Sequence, residues 1–195
     1  VLAAGWALIG QPPAVWLLTG LLGTAGIGYA LRDRIARISP FGRRLEILKP
    51  AVIAGVWALG AVLLPAVANP AAGLEGGVIL LVLYRWGAIA PNLLLADWPD
   101  RAGDRSVGRS TPAVRWSEGR LVRICRIVLV FTLAGGIAAV LGGYAPPLLL
   151  VDCGGPLATL LAIRRPLPDH RPYYDVLLDG LIGWPAVTVL VGGLV

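Results

Sequence analysis

Long apolar runs alternate with short polar segments along the whole chain. About 20 apolar residues are needed for a helix to cross the hydrocarbon core of a bilayer. Residues 1–10 form the end of an apolar run too short to span, and the longer runs that follow predict six full spans. These predicted spans cover residues 14–31, 50–68, 76–95, 117–143, 147–163 and 175–195. We therefore expect an all-α, multi-spanning transmembrane helical bundle that forms one domain over residues 1–195.

The predicted helix boundaries depend on a few punctuating residues. Pro50 is expected at a helix start, after a polar loop at 32–49, because its missing N–H does no harm there. Ser117 is expected to cap the next helix, with Glu118 favourable in the first turn. A break is expected within the span at 147–163, where Gly154-Gly155-Pro156 occurs. Small residues that allow close helix packing are Gly20, Gly23, Gly135 and Gly136.

Composition and charge agree with a membrane location. The chain is 57% hydrophobic and only 14% charged, its mean hydropathy is +0.77, and a soluble domain carries about a quarter charged residues. The net charge is +6, but the bases gather in the segments 32–49, 96–126 and 164–174, and the intervening turns carry none. This alternation indicates cytoplasmic basic loops of a bacterial or archaeal inner-membrane protein, not a nucleic-acid partner.

Some polar residues lie inside the predicted spans. Arg85 is near the middle of the third span, where an arginine costs about 2.5–3.5 kcal/mol on insertion scales, so it should face the bundle interior or a wet cavity. Asp152 is either a polar helix–helix contact or a functional group. Cys125 and Cys153 lie in or beside apolar segments and are expected to be buried free thiols.

Acidic residues cluster at one place, immediately after the third span. Asp97, Asp100 and Asp104 fall within eight positions, although the chain has only 11 acidic residues. If the segment after Pro99 is helical, Asp100 and Asp104 share one face. At roughly 6 Å such carboxylates repel by about 0.7 kcal/mol in water and about 3 kcal/mol at a dielectric constant of 20. A partly enclosed site would need a cation, and carboxylate oxygens suit Mg²⁺.

A second interpretation of the same acidic residues, without a metal ion, stays open at this point. The acids could form the N-terminal turn of a solvated helix, with Arg101 and Arg105 balancing their charge. The spacing of the acidic residues does not distinguish a metal site from a solvated helix turn.

The sequence from Asn92 to Val114 resembles the second aspartate motif of the UbiA-type intramembrane prenyltransferases. That motif is an Asp-x-x-x-Asp pair, often with an Asp or Asn three residues upstream, followed by a Gly and a Thr-Leu-Pro-Val-like segment. Asp100 and Asp104 match the pair and Asp97 the upstream position, and the tail is matched by Gly108 and Thr111-Pro112-Ala113-Val114. Weaker similarities, at Tyr29-Ala30-Leu31-Arg32, Lys49-Pro50, Trp57 and Tyr174-Asp175, extend the resemblance over nearly the whole chain.

The resemblance implies a nine-helix fold and a reaction. Two aspartate motifs face a central cavity and hold Mg²⁺ on the diphosphate of an isoprenoid donor, which is transferred to a lipophilic or aromatic acceptor. The family's first motif is absent from this sequence. We expect that it lies upstream, in a missing N-terminal part; the alternative is a degenerate paralogue.

The family pattern assigns roles to particular residues. Asp97, Asp100 and Asp104 would hold Mg²⁺, with Asp100 and Asp104 the catalytic pair. The remaining phosphate charge would be met by Arg32, Lys49, Arg101 and Arg105. Tyr29, Tyr84 and Trp86 would be candidates to face the carbocation. The acceptor and the length of the prenyl chain stay open.

Three other functional classes are alternatives to a prenyltransferase. A CDP-alcohol phosphotransferase needs Gly after its first Asp, where this chain has Trp98. A transporter needs discontinuous helices and ionic sites at the bilayer midplane, whereas the acids here cluster at one face. A UbiA-like membrane subunit that has lost catalysis, and binds only lipid or a partner, is the main alternative to the enzyme.

Overall fold

The computed structural model describes residues 10–36, 40–68 and 77–192, with side chains at 10–28, 46–68 and 77–190. Every regular element in these ranges is helical and none is a strand. The elements are α1 (Pro13–Ala36), α2 (Pro40–Ala68), α3 (Gly77–Ala96), α4 (Arg101–Ser106), α5 (Pro112–Arg115), α6 (Glu118–Leu141), α7 (Leu149–Asp152), α8 (Gly154–Ala162), a π-helical segment (Tyr173–Leu178), α9 (Asp179–Ile182) and α10 (Pro185–Gly192). The predicted all-α class is therefore confirmed for the described residues.

Three of the helices are long and apolar enough to cross a membrane. They are the part of α2 from Glu46 to Ala68, α3 and α6. Large apolar side chains on their outer faces are exposed, including Leu83 at 59% and Phe131 at 73%, which suits a surface that faces lipid. The other predicted spans correspond to shorter apolar helices, Pro13–Gly28 and Leu149–Ala162, or to the interrupted helices after residue 172. The stub at 1–10 lies outside the described residues except for Gly10.

The predicted polar loop at 32–49 is mostly helical, and this part of the prediction is wrong. α1 continues to Ala36, α2 begins at Pro40, and Pro50 lies inside α2 instead of at its start. A proline inside a helix removes one hydrogen bond and costs about 3 kcal/mol. Pro50 is fully buried, so packing against its neighbours offsets part of this cost.

Two sequence-based expectations about helix ends are confirmed. The Ser117 side chain accepts a hydrogen bond from the Arg120 amide at 3.4 Å and caps α6. The span predicted at 147–163 is interrupted, as expected, but one residue earlier than the Gly154-Gly155-Pro156 sequence, at Cys153 between α7 and α8.

The glycines predicted to lie at helix contacts behave differently from one another. A Cβ on Gly136 would lie 2.8 Å from the Tyr84 ring, so this glycine does permit close packing of α6 on α3. A Cβ on Gly20, Gly23 or Gly135 would meet nothing within 4 Å in the described residues.

The acidic segment is the stretch of residues 97–110, which contains Asp97, Asp100 and Asp104. The larger apolar core lies beneath this segment. It joins the end of α3 to α6 and to the segment from Ile163 to Leu178, and it includes Leu95, Trp98, Leu121, Leu129 and Tyr174. Trp98, which lies between Asp97 and Asp100 in the sequence, is buried in this core and so fixes the acidic segment to it. A smaller cluster lies farther along the same helices, at Tyr84, Ala139, Leu149 and Cys153.

Candidate functional site

The acidic segment forms a turn and a short helix directly after α3. Asp97 follows the last residue of α3, and Asp100 occupies the N-cap position of α4. The Asp104 amide donates to the Asp100 carbonyl at 2.9 Å. Asp100 and Asp104 are thus one helical turn apart, as predicted.

Each acid of the segment contacts a different basic side chain. Lys49 Nζ lies 3.4 Å from Asp97 Oδ1, and Arg109 Nη1 lies 3.3 Å from Asp104 Oδ1. Asp100 Oδ1 accepts a hydrogen bond from Arg171 Nη2. The ion pairs join α2, the acidic segment and the loop at 163–172 at one end of the bundle.

The carboxylates differ in their exposure. The Asp97 and Asp104 side chains are 17% and 12% exposed, and the Asp100 side chain is 51% exposed. Charges in such partly enclosed positions interact more strongly than charges in water. The nearby bases therefore compensate negative charge that the surroundings solvate poorly.

Two of the predicted phosphate-binding arginines point at protein groups. Arg101 Nη1 donates to the Trp98 carbonyl at 2.9 Å, its Nη2 lies 3.0 Å from Asp169 Oδ1, and its guanidinium stacks 4.3 Å from the centroid of the Trp98 ring. Arg105 Nη2 donates to the Val114 carbonyl at 3.5 Å. The side chain of Arg32 lies outside the described residues.

The loop between α8 and the π-helical segment is held close to the acids. Tyr174 is buried, and its hydroxyl donates to the Pro168 carbonyl at 2.7 Å. Burial raises the pKa of Tyr174 above its ordinary value, so the hydroxyl keeps the proton that it donates. The Leu167 amide donates to Glu118 Oε1 at 2.9 Å. These bonds position Arg171 beside Asp100.

The structure adds three residues that sequence reasoning did not place at the site. Arg109 pairs with Asp104 and Arg171 pairs with Asp100. In the sequence, these two arginines are marked only by lying in basic segments. Glu46 is 7% exposed, and its Oε2 accepts from the Ser110 amide at 2.6 Å. This bond ties α2 to the end of the acidic segment, 64 positions away in the sequence.

The aromatic residues predicted to face a carbocation lie elsewhere. Tyr84 belongs to the smaller core cluster, and the Trp86 indole donates to the Ala51 carbonyl at 2.9 Å, where it links α3 to α2. The side chain of Tyr29 is outside the described residues. In this structure Tyr84 and Trp86 make packing contacts, and both also line an apolar groove between α3 and α6.

Whether the acids suit Mg²⁺ can be assessed from their chemistry and their contacts. No group of three or more His, Cys, Asp or Glu side chains within the described ranges is arranged to hold a metal ion. Mg²⁺, however, is often bound through one or two carboxylates together with substrate phosphates and water. Asp100 and Asp104, one helical turn apart, would be the pair of carboxylates for such a site, and the metal assignment stays a prediction.

Comparisons with known proteins give no match. No protein-family model, no curated protein and no solved structure matches this chain.

Proposed function

We propose that the chain is the acidic-site part of an integral membrane, Mg²⁺-dependent prenyltransferase. It would move an isoprenoid group from a prenyl diphosphate to an aromatic or other lipophilic acceptor. The observation that carries the proposal is the acidic segment at the end of α3. There a buried Trp98 fixes two enclosed carboxylates beside basic side chains, immediately next to an apolar helix that can span a membrane.

Binding of a diphosphate would rearrange the ion pairs of this site. Lys49, Arg109 and Arg171 now contact carboxylates, and each would exchange that contact for a phosphate oxygen, with which Arg forms bidentate hydrogen bonds. Asp100 and Asp104 would hold Mg²⁺, which neutralises the diphosphate and acts as a Lewis acid on the leaving group. Bases already in place stabilise the negative charge that grows on the diphosphate as the allylic C–O bond lengthens.

The apolar part of the donor would extend along α3, whose residue Gly87, about 15 Å along the helix from Asp97, lines an apolar groove. An apolar groove of about 380 Å³ runs between α3 and α6, lined by residues such as Leu83, Tyr84, Phe131 and Gly135. In the described residues a Cβ on Gly135 would meet nothing within 4 Å, which leaves room on this wall for a methyl branch of an isoprenoid chain. With the basic segments on the cytoplasmic side, the diphosphate would enter from the cytoplasm and the chain would extend into the membrane.

The experiment measures pyrophosphate release from geranylgeranyl diphosphate by the complete protein in lipid nanodiscs, with a panel of lipophilic and aromatic acceptors. We expect release only with Mg²⁺, and a loss of at least about 100-fold in Asp100→Ala and Asp104→Ala, which corresponds to about 2.7 kcal/mol of transition-state stabilisation. Asp179→Ala is the matched control, because Asp179 is an exposed acid outside the acidic segment. Equal turnover in all three variants would refute the metal assignment.

A second candidate is a UbiA-like membrane subunit without catalytic activity that binds lipid or a partner. The observation in its favour is that the acids are engaged in ion pairs and that the described residues hold no ready metal cluster. Mg²⁺-dependent binding of the diphosphate without turnover, in the complete protein and with every acceptor, would select this candidate.

A further inference from the structure

A polar centre lies inside the apolar part of the bundle, away from the acidic segment. Arg85 Nη1 forms an ion pair of 2.7 Å with Asp152 Oδ2, and Thr188 donates to Asp152 Oδ1 at 3.0 Å. Asp152 is 2% exposed and Thr188 is 8% exposed. Arg85 is 12 residues before Asp97, which is about 18 Å along a helix. The centre thus joins α3, α7 and α10 near the middle of the predicted membrane layer.

The regular helix that carries Asp152 is interrupted for one residue, Cys153, which keeps a right-handed helical backbone conformation. α7 ends at Asp152 and α8 begins at Gly154, and Pro156 cannot donate to the carbonyl four residues earlier. The Trp184 indole N–H donates to the Val151 carbonyl at 2.8 Å. Interrupted backbone at membrane depth is tolerated where it is buried in protein or lines a cavity, and here both conditions hold.

The position of Trp184 is set by the glycines at the break. A Cβ on Gly154 would lie 2.6 Å from the Trp184 ring, and a Cβ on Gly155 would lie 2.8 Å from the Trp184 Cβ. Trp184 can therefore pack directly on the backbone of α8. The indole forms one wall of the space beside Arg85.

A cavity of about 320 Å³ adjoins the polar centre. Its polar lining comes from Arg85, Asp152, Thr159 and Thr188, and the rest is apolar or aromatic, including Trp57, Ile89, Pro156, Leu181 and Trp184. Residues at its rim are exposed, Trp57 at 62% and Val189 at 73%, so the cavity opens towards the lipid-facing surface. Its volume is at the lower end of the range for small-molecule pockets, about 300–1,000 Å³.

The charged residues that line the cavity limit the net charge and the polar groups of a ligand that can bind there. Arg85 and Asp152 neutralise each other, so an anion would have to displace the aspartate and a cation would have to displace the arginine. Arg85 uses one of its N–H groups on Asp152 and has others to donate. A neutral hydroxyl or carbonyl group can accept from Arg85, and the aromatic walls suit a ring.

We propose that this cavity is a binding site for a neutral, ring-sized amphiphile that carries a hydroxyl or carbonyl group and enters from the lipid. Its polar atom is held at the Arg85–Asp152–Thr188 centre and its ring lies between Trp57 and Trp184. Buried ionisable residues inside membrane proteins mark functional sites more often than they serve packing alone. The proposal does not depend on the function suggested for the acidic segment.

The test is photolabelling of the full chain in nanodiscs with a diazirine-substituted phenol, followed by peptide mapping. We expect labelled peptides from α3, α8 and α10. Competition by 4-propylphenol is expected to be at least about tenfold stronger than competition by propylbenzene, which has nearly the same shape but no hydroxyl, because a hydrogen bond to a charged group contributes about that factor.

Variants keep the test decisive even where an ion-pair mutant does not fold. Ala61→Phe fills the cavity from a position that leaves Arg85 and Asp152 intact, and it should abolish the labelling. Ala134→Phe, on the exposed face of α6, makes the same change away from the cavity and should leave the labelling unaltered. Thr188→Val should reduce the preference for propylphenol over propylbenzene. Equal competition by the two compounds, or equal labelling of Ala61→Phe and Ala134→Phe, would overturn the proposal.

Discussion

At the scale of single residues, Arg101 shows how a local sequence becomes a fixed geometry. Its guanidinium stacks on Trp98, donates to the Trp98 carbonyl and pairs with Asp169. The planar fork of arginine makes these contacts at the same time, whereas the compact ammonium of lysine is suited to one of them. Arg101 therefore holds the turn between α3 and α4 against the loop at 163–172.

We predict that Arg101→Lys loosens this turn although the charge is unchanged. Loss of stacking and of the forked hydrogen bonds should cost about 1 kcal/mol locally, which is roughly a fivefold rise in the opening of the segment. Hydrogen exchange of the amides at 101–106 measures this opening. Arg123→Lys is the control and should exchange as the parent does, because Arg123 is exposed on α6 and makes no such contacts within the described residues. A parent-like rate in Arg101→Lys would show that charge alone holds the turn.

At the scale of elements, the packing of α3 on α6 depends on particular glycines. A Cβ on Gly87 would clash with the Thr132 hydroxyl oxygen, whereas a Cβ on Gly135 would meet nothing within 4 Å. Both glycines lie on helices that can span a membrane. Gly87 allows the two helices to approach each other, whereas Gly135 is exposed.

We predict that Gly87→Ala and Gly135→Ala change stability in opposite directions. Gly87→Ala should destabilise the bundle by about 1–3 kcal/mol, because the added methyl group forces α3 and α6 apart. Gly135→Ala should stabilise it by about 0.5–1 kcal/mol, because alanine is the better helix former and nothing opposes its methyl group. Thermal unfolding in detergent, followed by circular dichroism, measures both. The same shift in both variants would contradict the helix contact described above.

At the scale of the whole molecule, the arrangement of basic segments predicts the orientation in the membrane. α6 has 24 residues, which is about 36 Å and enough to cross a hydrocarbon core of about 30 Å. The acidic segment precedes this helix and the turn at 143–147 follows it. The two ends should lie on opposite sides, with the acidic segment in the cytoplasm.

We predict that cysteines introduced in the acidic segment before α6 and in the turn after α6 react from opposite sides. Ala102→Cys should react with a membrane-impermeant maleimide only in inside-out vesicles, and Tyr144→Cys only in right-side-out vesicles. Ala102 and Tyr144 are both exposed. The native Cys125 and Cys153 are buried, so the parent protein should not react and serves as the control. Reaction of both positions from one side would disprove the crossing of α6.

The sequence by itself determined the helical class, three of the six predicted spans, the cap at Ser117, the interruption near Gly154 and the helical spacing of Asp100 and Asp104. These features depend on hydrophobic runs, single capping residues and local periodicity, which act over a few neighbouring positions. The UbiA-like reaction and the roles of Arg32, Lys49, Arg101, Arg105 and the three acids were also predicted from the sequence, and they stay predictions.

Only the tertiary structure decided which distant groups meet. The pairing of Asp100 with Arg171, the bond from Ser110 to Glu46 and the ion pair of Arg85 with Asp152 join residues 64 or more positions apart through the packing of separate elements. The helical course of most of the 32–49 segment, with a buried Pro50 inside α2, was likewise a feature of the structure that the local preference of proline for a helix start did not predict. Local patterns carry the information for elements, whereas partners are chosen by which faces the packed helices bring together.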